Sequence, residues 1–185
     1  MSPTKKRLSR DDWTEAALDA MADQGAAGIN VEELARTLGT TKGSFYHHFE
    51  NRRALLDAAL ERWEALIRAD IEAASDVVDP TDRLIELALS GATAKLNGFV
   101  DLALAASMDD PSVAASVKRA NEERLQALDS VFADLGVKSA EQRTHSIQAL
   151  ASYLGLFQLQ HMTGERFSGE QLRDLVVRTA TAAID

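Results

Sequence analysis

Cysteine is absent from the 185-residue chain, which excludes disulfide frameworks, thiolate zinc sites and cysteine nucleophiles. Three prolines and ten glycines are too few for a fold of many strands and tight turns. No HExxH, Gly-rich phosphate loop or GxSxG is present, so the chain is not expected to be an enzyme and no cofactor is expected. The adjacent pairs Glu32-Glu33 and Asp109-Asp110 read as helix-start or solvated charges. Basic residues are the minority sign: 20 Lys and Arg stand against 29 Asp and Glu, for a net charge of −9. That excludes a generally basic coat for nucleic acid or for anionic membranes. The N-terminal MSPTKKRLSRDDW has no apolar core and is not a signal peptide. Residues 144–164 carry no Asp, Glu, Lys or Arg, but His145, Gln148, Ser152, Gln158, Gln160 and His161 are too polar for lipid. That stretch is expected to be a helix buried in protein, with no membrane association and a cytoplasmic location.

What is abundant is alanine and leucine, both strong helix formers. Start and stop signals divide the chain into about nine helices. Ser9 with Asp12 has capping-box spacing, and Gly25 stands where a left-handed C-terminal residue belongs. Asn30 caps a helix over 31–38, and Thr41 a short one over 42–48. Asn51 opens a long helix through Leu55, Leu60, Trp63 and Ile67. Asp79-Pro80 and Asp110-Pro111 each read as an N-cap followed by proline. A break is expected near Asn97-Gly98. Ser139 with Gln142, and Ser168 with Gln171, are expected to cap the last two helices. With no alternating strand pattern, the expected fold is all-α.

Helices 31–38 and 42–48, joined by a Gly-containing turn, have helix-turn-helix dimensions. On the second, Phe45 and Phe49 lie within about 40° of one another and would face a small core with Trp13, Met21 and Leu34. Gly43, Tyr46 and His47 fall on another side. That outer side suits DNA. Thr41 can cap while leaving other amides to a phosphate, and Gly43 and Ser44 allow close backbone approach. Lys42 supplies charge, and Tyr46 and His47 can reach phosphates or base edges. Asn51, Arg52 and Arg53 place a second helix start and two cations nearby. His48 lies nearer the phenylalanines, where packing or a backbone hydrogen bond competes with DNA contact. Being sequence neighbours, His47 and His48 do not share a helix face, so no metal site is expected. Lys5, Lys6, Arg7 and Arg10 form a basic arm, either solvated or laid on DNA.

Four ungapped blocks carry a resemblance: Trp13–Gly25, Val31-Glu-Glu-Leu-Ala35, Gly39-Thr-Thr-Lys-Gly-Ser-Phe-Tyr-His-His-Phe49 and Asn51-Arg-Arg-Ala-Leu-Leu56. Here the sequence resembles the N-terminal domain of the TetR family of transcriptional regulators. The resemblance implies a homodimeric repressor of double-stranded operator DNA with a ligand-binding C-terminal half. It implies DNA contact at Thr41, Lys42, Gly43, Tyr46, His47 and His48. Arg52 stands where the family usually has a phosphate-contacting lysine. Two positions depart from the pattern. Thr40 replaces a usual apolar residue and could face DNA, and Arg53 replaces a common acidic one. The expected division is a DNA-binding domain over 1–56 with its basic arm, and a helical ligand-binding and dimerisation domain over 57–185.

In the C-terminal half, Ile147, Leu150, Leu154 and Phe157 form one stripe, and Leu172, Leu175, Val176 and Thr179 another. They are expected to pair with their copies in a four-helix interface, chiefly because of the resemblance; ordinary core packing is the competing reading. A cavity for an uncharged or amphipathic organic ligand would draw on Trp63, Leu66, Ile67, Phe99, Leu102, Met108, Tyr153 and Met162. A competing function is a helical small-molecule carrier or adaptor without DNA regulation. The charge distribution does not exclude a sequence-specific DNA reader. The first 62 residues carry nine basic and ten acidic side chains, whereas the rest carry eleven and nineteen. The acidity thus belongs to the second half, and a locally basic face remains for a sequence-specific reader.

Overall fold

Side-chain oxygens set where most of the helices begin. In the computed structural model, residues 8–93 and 97–184 are described, with side chains described for 8–89 and 99–178. Lys5, Lys6 and Arg7 therefore lie outside the described residues. Helix α1 (Arg10–Gln24) starts from a complete Ser9–Asp12 capping box. Asn30 accepts from the amides of Glu32 and Glu33 to open α2 (Val31–Thr37). The short α3 (Lys42–Phe45) follows, and Asn51 caps α4 (Arg52–Ser75) by accepting from Ala54. Asp79 accepts from Thr81 and Asp82 at the start of α5 (Pro80–Thr93). Helix α6 (Asn97–Ala105) leads to α7 (Pro111–Asp134), where Asp110 accepts from Ser112 and Val113. Helix α8 (Ser139–Thr163) ends on a left-handed Gly164. Ser168 and Gln171 cap α9 (Gly169–Ile184) reciprocally. The described residues thus form nine α-helices and one 3-10 turn (Gly25–Gly28), with no strand among them.

Three local expectations need correcting. Gly25 has φ +62° but ψ −156°, so it is not a left-handed cap. The chain turns there directly into the 3-10 turn, beneath α6. Ser139 does not cap α8; Lys138 holds that place, and the Gln142 side chain instead donates to the Val137 carbonyl at 2.9 Å. The helix expected over 42–48 is α-helical only to Phe45. Residues 46–48 tighten into a turn, with the His47 and His48 amides donating three residues back.

One apolar core runs from the N-terminal helices into the rest of the molecule. Trp13, Met21, Leu34, Phe45 and Phe49 are all buried together, as the helical wheel requires. Trp13 meets Phe45 edge-on at 5.4 Å, and Phe45 stacks on Phe49 at 5.7 Å. The same core continues along α4 through Leu56, Leu60, Trp63 and Ile67 to Val100, Leu104 and Val113. A second cluster, Leu84, Leu128, Val131, Phe132, Val137 and Leu150, joins α5, α7 and α8. Helix α1 packs on α4 and α6, α7 on α4 and α8, and α9 on α5.

Candidate nucleic-acid interface and cavity

Helix α2 ends in a turn that aims α3. Gly39 takes φ +62°, and the Thr40 amide donates to the Ala35 carbonyl at 2.8 Å. This bond pattern ends a helix on a positive-φ residue and suits glycine. Phe45 and Phe49 anchor the inner side. Thr41, Lys42, Gly43, Tyr46 and His47 are exposed; Thr40, Ser44 and His48 are half-buried. Tyr46 keeps 55% of its surface open while its ring edge rests on Phe45 at 5.1 Å. The recognition candidates thus share one outward side of a rigid aromatic base. Thr41 occupies the N-cap without a side-chain bond to the helix, so its hydroxyl is not committed to capping. Lys42 pairs with Glu32 on α2, an exposed contact that holds Lys42 above the usual lysine range and Glu32 below the usual carboxylate range. Exposed pairs of this kind exchange partners at little cost.

The arginines are engaged differently from the expectation. Arg52 reaches back to the 3-10 turn: its Nε donates to the Ile29 carbonyl at 2.6 Å and an Nη to the Ala26 carbonyl. It therefore ties the 3-10 turn to α4 while the residue stays exposed. The sequence does not announce this tie, because unpaired carbonyls of a short turn leave no mark in it. Arg53 bonds Asp57 at 3.0 Å, Asp110 at 3.2 Å and Ser112, joining α4 to the start of α7. Arg10 donates to the His48 carbonyl at 3.1 Å, and its guanidinium sits 4.3 Å from the Phe49 ring centre. The first residue of α1 thus braces the end of the recognition turn. Ser107, just beyond α6, was not anticipated either. Its hydroxyl accepts from the Ala26 amide at 3.3 Å.

A cavity of about 90 Å³ lies among α4, α5, α7, α8 and α9. Ile67, Ile71, Leu84, Leu87, Leu128 and Leu156 give it apolar walls, with Asp70, Arg124, Ser152 and Tyr153 as polar groups. Arg124 is fixed by a buried two-pronged bond to Asp101 of α6, both contacts 2.9 Å. Burial pushes the Asp101 carboxyl up, against the pull of Arg124. The guanidinium also faces the rings of Tyr153 at 5.7 Å and Trp63 at 5.9 Å. Burial pushes the Tyr153 hydroxyl well up, so it stays protonated and can donate. That hydroxyl and the Trp63 indole N–H are buried without a hydrogen-bond partner.

Of the expected ligand-lining residues, Ile67 and Tyr153 are in the wall. Trp63 lies behind Arg124, and Phe99 packs edge-on against the wall residue Phe157 at 5.8 Å. Leu66 packs against the core shared with the N-terminal helices, and Leu102 is half-buried. Met108 and Met162 do not line the cavity: they are 45% and 70% exposed. The expectation of few charges near the cavity is also corrected by Arg124 and Asp70.

The expected interface stripe divides. Leu150 and Phe157 are buried inside their own chain and line the cavity. Leu172, Leu175 and Val176 also reach its wall, although Leu175 is partly exposed. Leu154 packs at the edge of the second core, whereas Ile147 is 52% exposed. The Thr179 side chain lies outside the described residues. Apolar residues surround much of α8, so periodicity alone could not say which arc faced inward.

A buried-core helix-turn-helix with an open, small-residue and aromatic outer side defines a DNA-binding type of domain. Residues 14–59 match the family "Bacterial regulatory proteins, tetR family". Tetracycline repressor protein class C of Escherichia coli is 40% identical over 55 residues, 30% of this chain and 25% of that repressor's own length. A transcriptional regulator from Rhodococcus sp. Rha1 shares the fold with a TM-score of 0.79, over 96% of both chains at 20% identity. AibR, solved in complex with isovaleryl coenzyme A and operator DNA, has a TM-score of 0.66 at 20% identity. The latter match covers 91% of this chain and 95% of that one. Among the described residues, no helix is long and apolar enough to cross a membrane.

Proposed function

We propose that the protein is a homodimeric transcriptional repressor that binds a palindromic operator and is released by a small organic ligand. The observation that carries the reading is the exposed side of α3 and the turn after it, where Lys42, Gly43, Tyr46 and His47 stand open on buried Phe45 and Phe49. Thr40, Thr41, Ser44 and His48 complete the DNA surface. AibR supports the pairing of operator and ligand on this fold. The reading assigns DNA binding to residues 1–56 and ligand binding and dimerisation to 57–185, with α4 crossing between them. Two recognition helices would meet successive major grooves about 34–36 Å apart.

The dimer is assigned to the outer arc of α8 rather than to Leu150 and Phe157. At about 100° per residue, Ile147, Ala151, Gly155 and Met162 fall within about 80° of one another, opposite Ser146, Tyr153 and Phe157. Ala151 and Gly155 would allow close approach of a second copy. Ligand release requires tighter binding to the DNA-free arrangement; a hundredfold shift needs about 2.7 kcal/mol of difference. Tyr46→Ala and Lys42→Ala are expected to weaken operator binding without unfolding the dimer, and Lys42→Ala to reduce the salt slope by about one. Full affinity in both variants would overturn the assigned surface.

A further inference from the structure

We propose that Glu32 competes with DNA for Lys42: its carboxylate holds the ammonium in the free protein, a phosphate must displace it, and Glu32 thereby limits the affinity of the recognition surface. The proposal rests on the DNA-binding reading of α3 and adds a residue of α2 that acts against it.

Three observations carry it. The first is the contact. Lys42 opens α3, and its Nζ donates to a carboxylate oxygen of Glu32 in the first turn of α2. Gly43, Tyr46 and His47 stand open next to Lys42, so the carboxylate borders the proposed DNA surface. The second is reach. Both side chains are more than half exposed, so a phosphate can approach the ammonium and the carboxylate can leave it. Two oxygens on one ammonium, each at about 2.8 Å, stand about 4.5–5 Å apart. A phosphate that joined Glu32 on Lys42 would therefore meet a like charge well inside the Debye length of about 8 Å. The third is the supply of cations. Arg10, Arg36, Arg52, Arg53 and Arg62 are the other Lys and Arg side chains described up to residue 62, and each already has an acceptor in its own chain. Arg36, one turn beyond Glu32 on α2, is paired with Glu33 at 3.7 Å. Releasing Glu32 from Lys42 thus leaves a carboxylate beside the DNA whose nearest cation along α2 is already engaged. Exposed pairs are modest in strength, so the effect is a brake of about twofold to fivefold in affinity per bound copy, not a lock.

The test measures DNA affinity of the full chain by fluorescence anisotropy, using the duplex fragment that the protein enriches most from genomic DNA. The variants are Glu32→Gln, Glu33→Gln, Lys42→Ala and the double variant Glu32→Gln with Lys42→Ala. Glu32→Gln is expected to tighten binding about twofold to fivefold per bound copy. Glu33→Gln removes the same charge one residue on and should tighten it less. In the Lys42→Ala background, the gain from Glu32→Gln should fall to that of Glu33→Gln, because the contested ammonium is gone. Unchanged or weaker binding by Glu32→Gln, or an equal gain with and without Lys42, would overturn the proposal. If Lys42→Ala weakens binding but Glu32→Gln does not tighten it, the DNA surface stands and the competition fails. If no fragment is enriched, or Lys42→Ala keeps full affinity, the reading of Lys42 as a DNA contact fails and the competition with it.

Discussion

Replacing Gly25 with alanine perturbs the place where the ligand half touches the DNA-binding half. Gly25 has φ +62° and ψ −156°, a backbone region essentially reserved for glycine. Forcing a side chain into it costs about 1–3 kcal/mol. The added Cβ would also stand 2.6 Å from the Ala103 carbonyl oxygen and 2.7 Å from the Ser107 hydroxyl. The first neighbour is backbone of α6 and cannot swing aside, so overpacking adds about 1–3 kcal/mol. The expected loss is therefore about 2–6 kcal/mol. Gly39→Ala is the control. It too has positive φ, at +62°, but a Cβ there meets nothing within 4 Å, so only the conformational cost of about 1–2 kcal/mol applies. Urea unfolding of both variants, followed by far-UV circular dichroism, gives the comparison at matched m-values. If Gly25→Ala cost no more than Gly39→Ala, the close docking of α6 on the end of α1 would be refuted.

Arg52→Ala is expected to lower stability by about 1.5–3 kcal/mol, because two carbonyls lose a charged donor, while the salt slope of DNA binding stays unchanged. A reduced slope would mean that Arg52 turns outward to phosphate. Ile147→Glu with Met162→Glu is expected to yield a folded monomer by sedimentation, whereas Phe157→Glu unfolds the chain; a dimeric double variant would refute the outer-arc interface. Glu64 is buried, which pushes its carboxyl up, but hydrogen bonds from Arg119 and Ser116 outweigh this and hold it below 4.5. Its ionised form therefore adds stability above the unfolded value, and that contribution is lost as pH falls through the lower folded value. Glu64→Gln should flatten the decline in thermal stability below pH about 4.5, and an unchanged decline would contradict this assignment.

Much of the frame was legible because it is local. Ser9, Asn30, Asn51, Asp79, Asp110 and Ser168 each act on amides two or three residues away, a distance that sequence spacing expresses directly. The Phe45–Phe49 spacing likewise announced the inner side of α3. What stayed hidden depends on distant partners. Arg52 reads as a free cation until the carbonyls of Ala26 and Ile29 are brought beside it. Gly25 reads as an ordinary helix stop until α6 lies across it. Phe157 and Ile147 read alike on α8, because their difference lies in which arc α6 and α7 cover. The Asp101–Arg124 pair joins residues 23 apart in sequence, with no periodicity to mark it. Of the cavity's polar groups, only Tyr153 was therefore foreseen.

The central claim is tested most directly by selecting bound DNA fragments with the purified full-length protein and sequencing them. The account predicts one enriched palindromic motif with half-site centres about one helical turn, or a multiple of it, apart, and loss of that enrichment in Tyr46→Ala. Fragments enriched without a shared motif, or a motif retained unchanged by Tyr46→Ala, would contradict it.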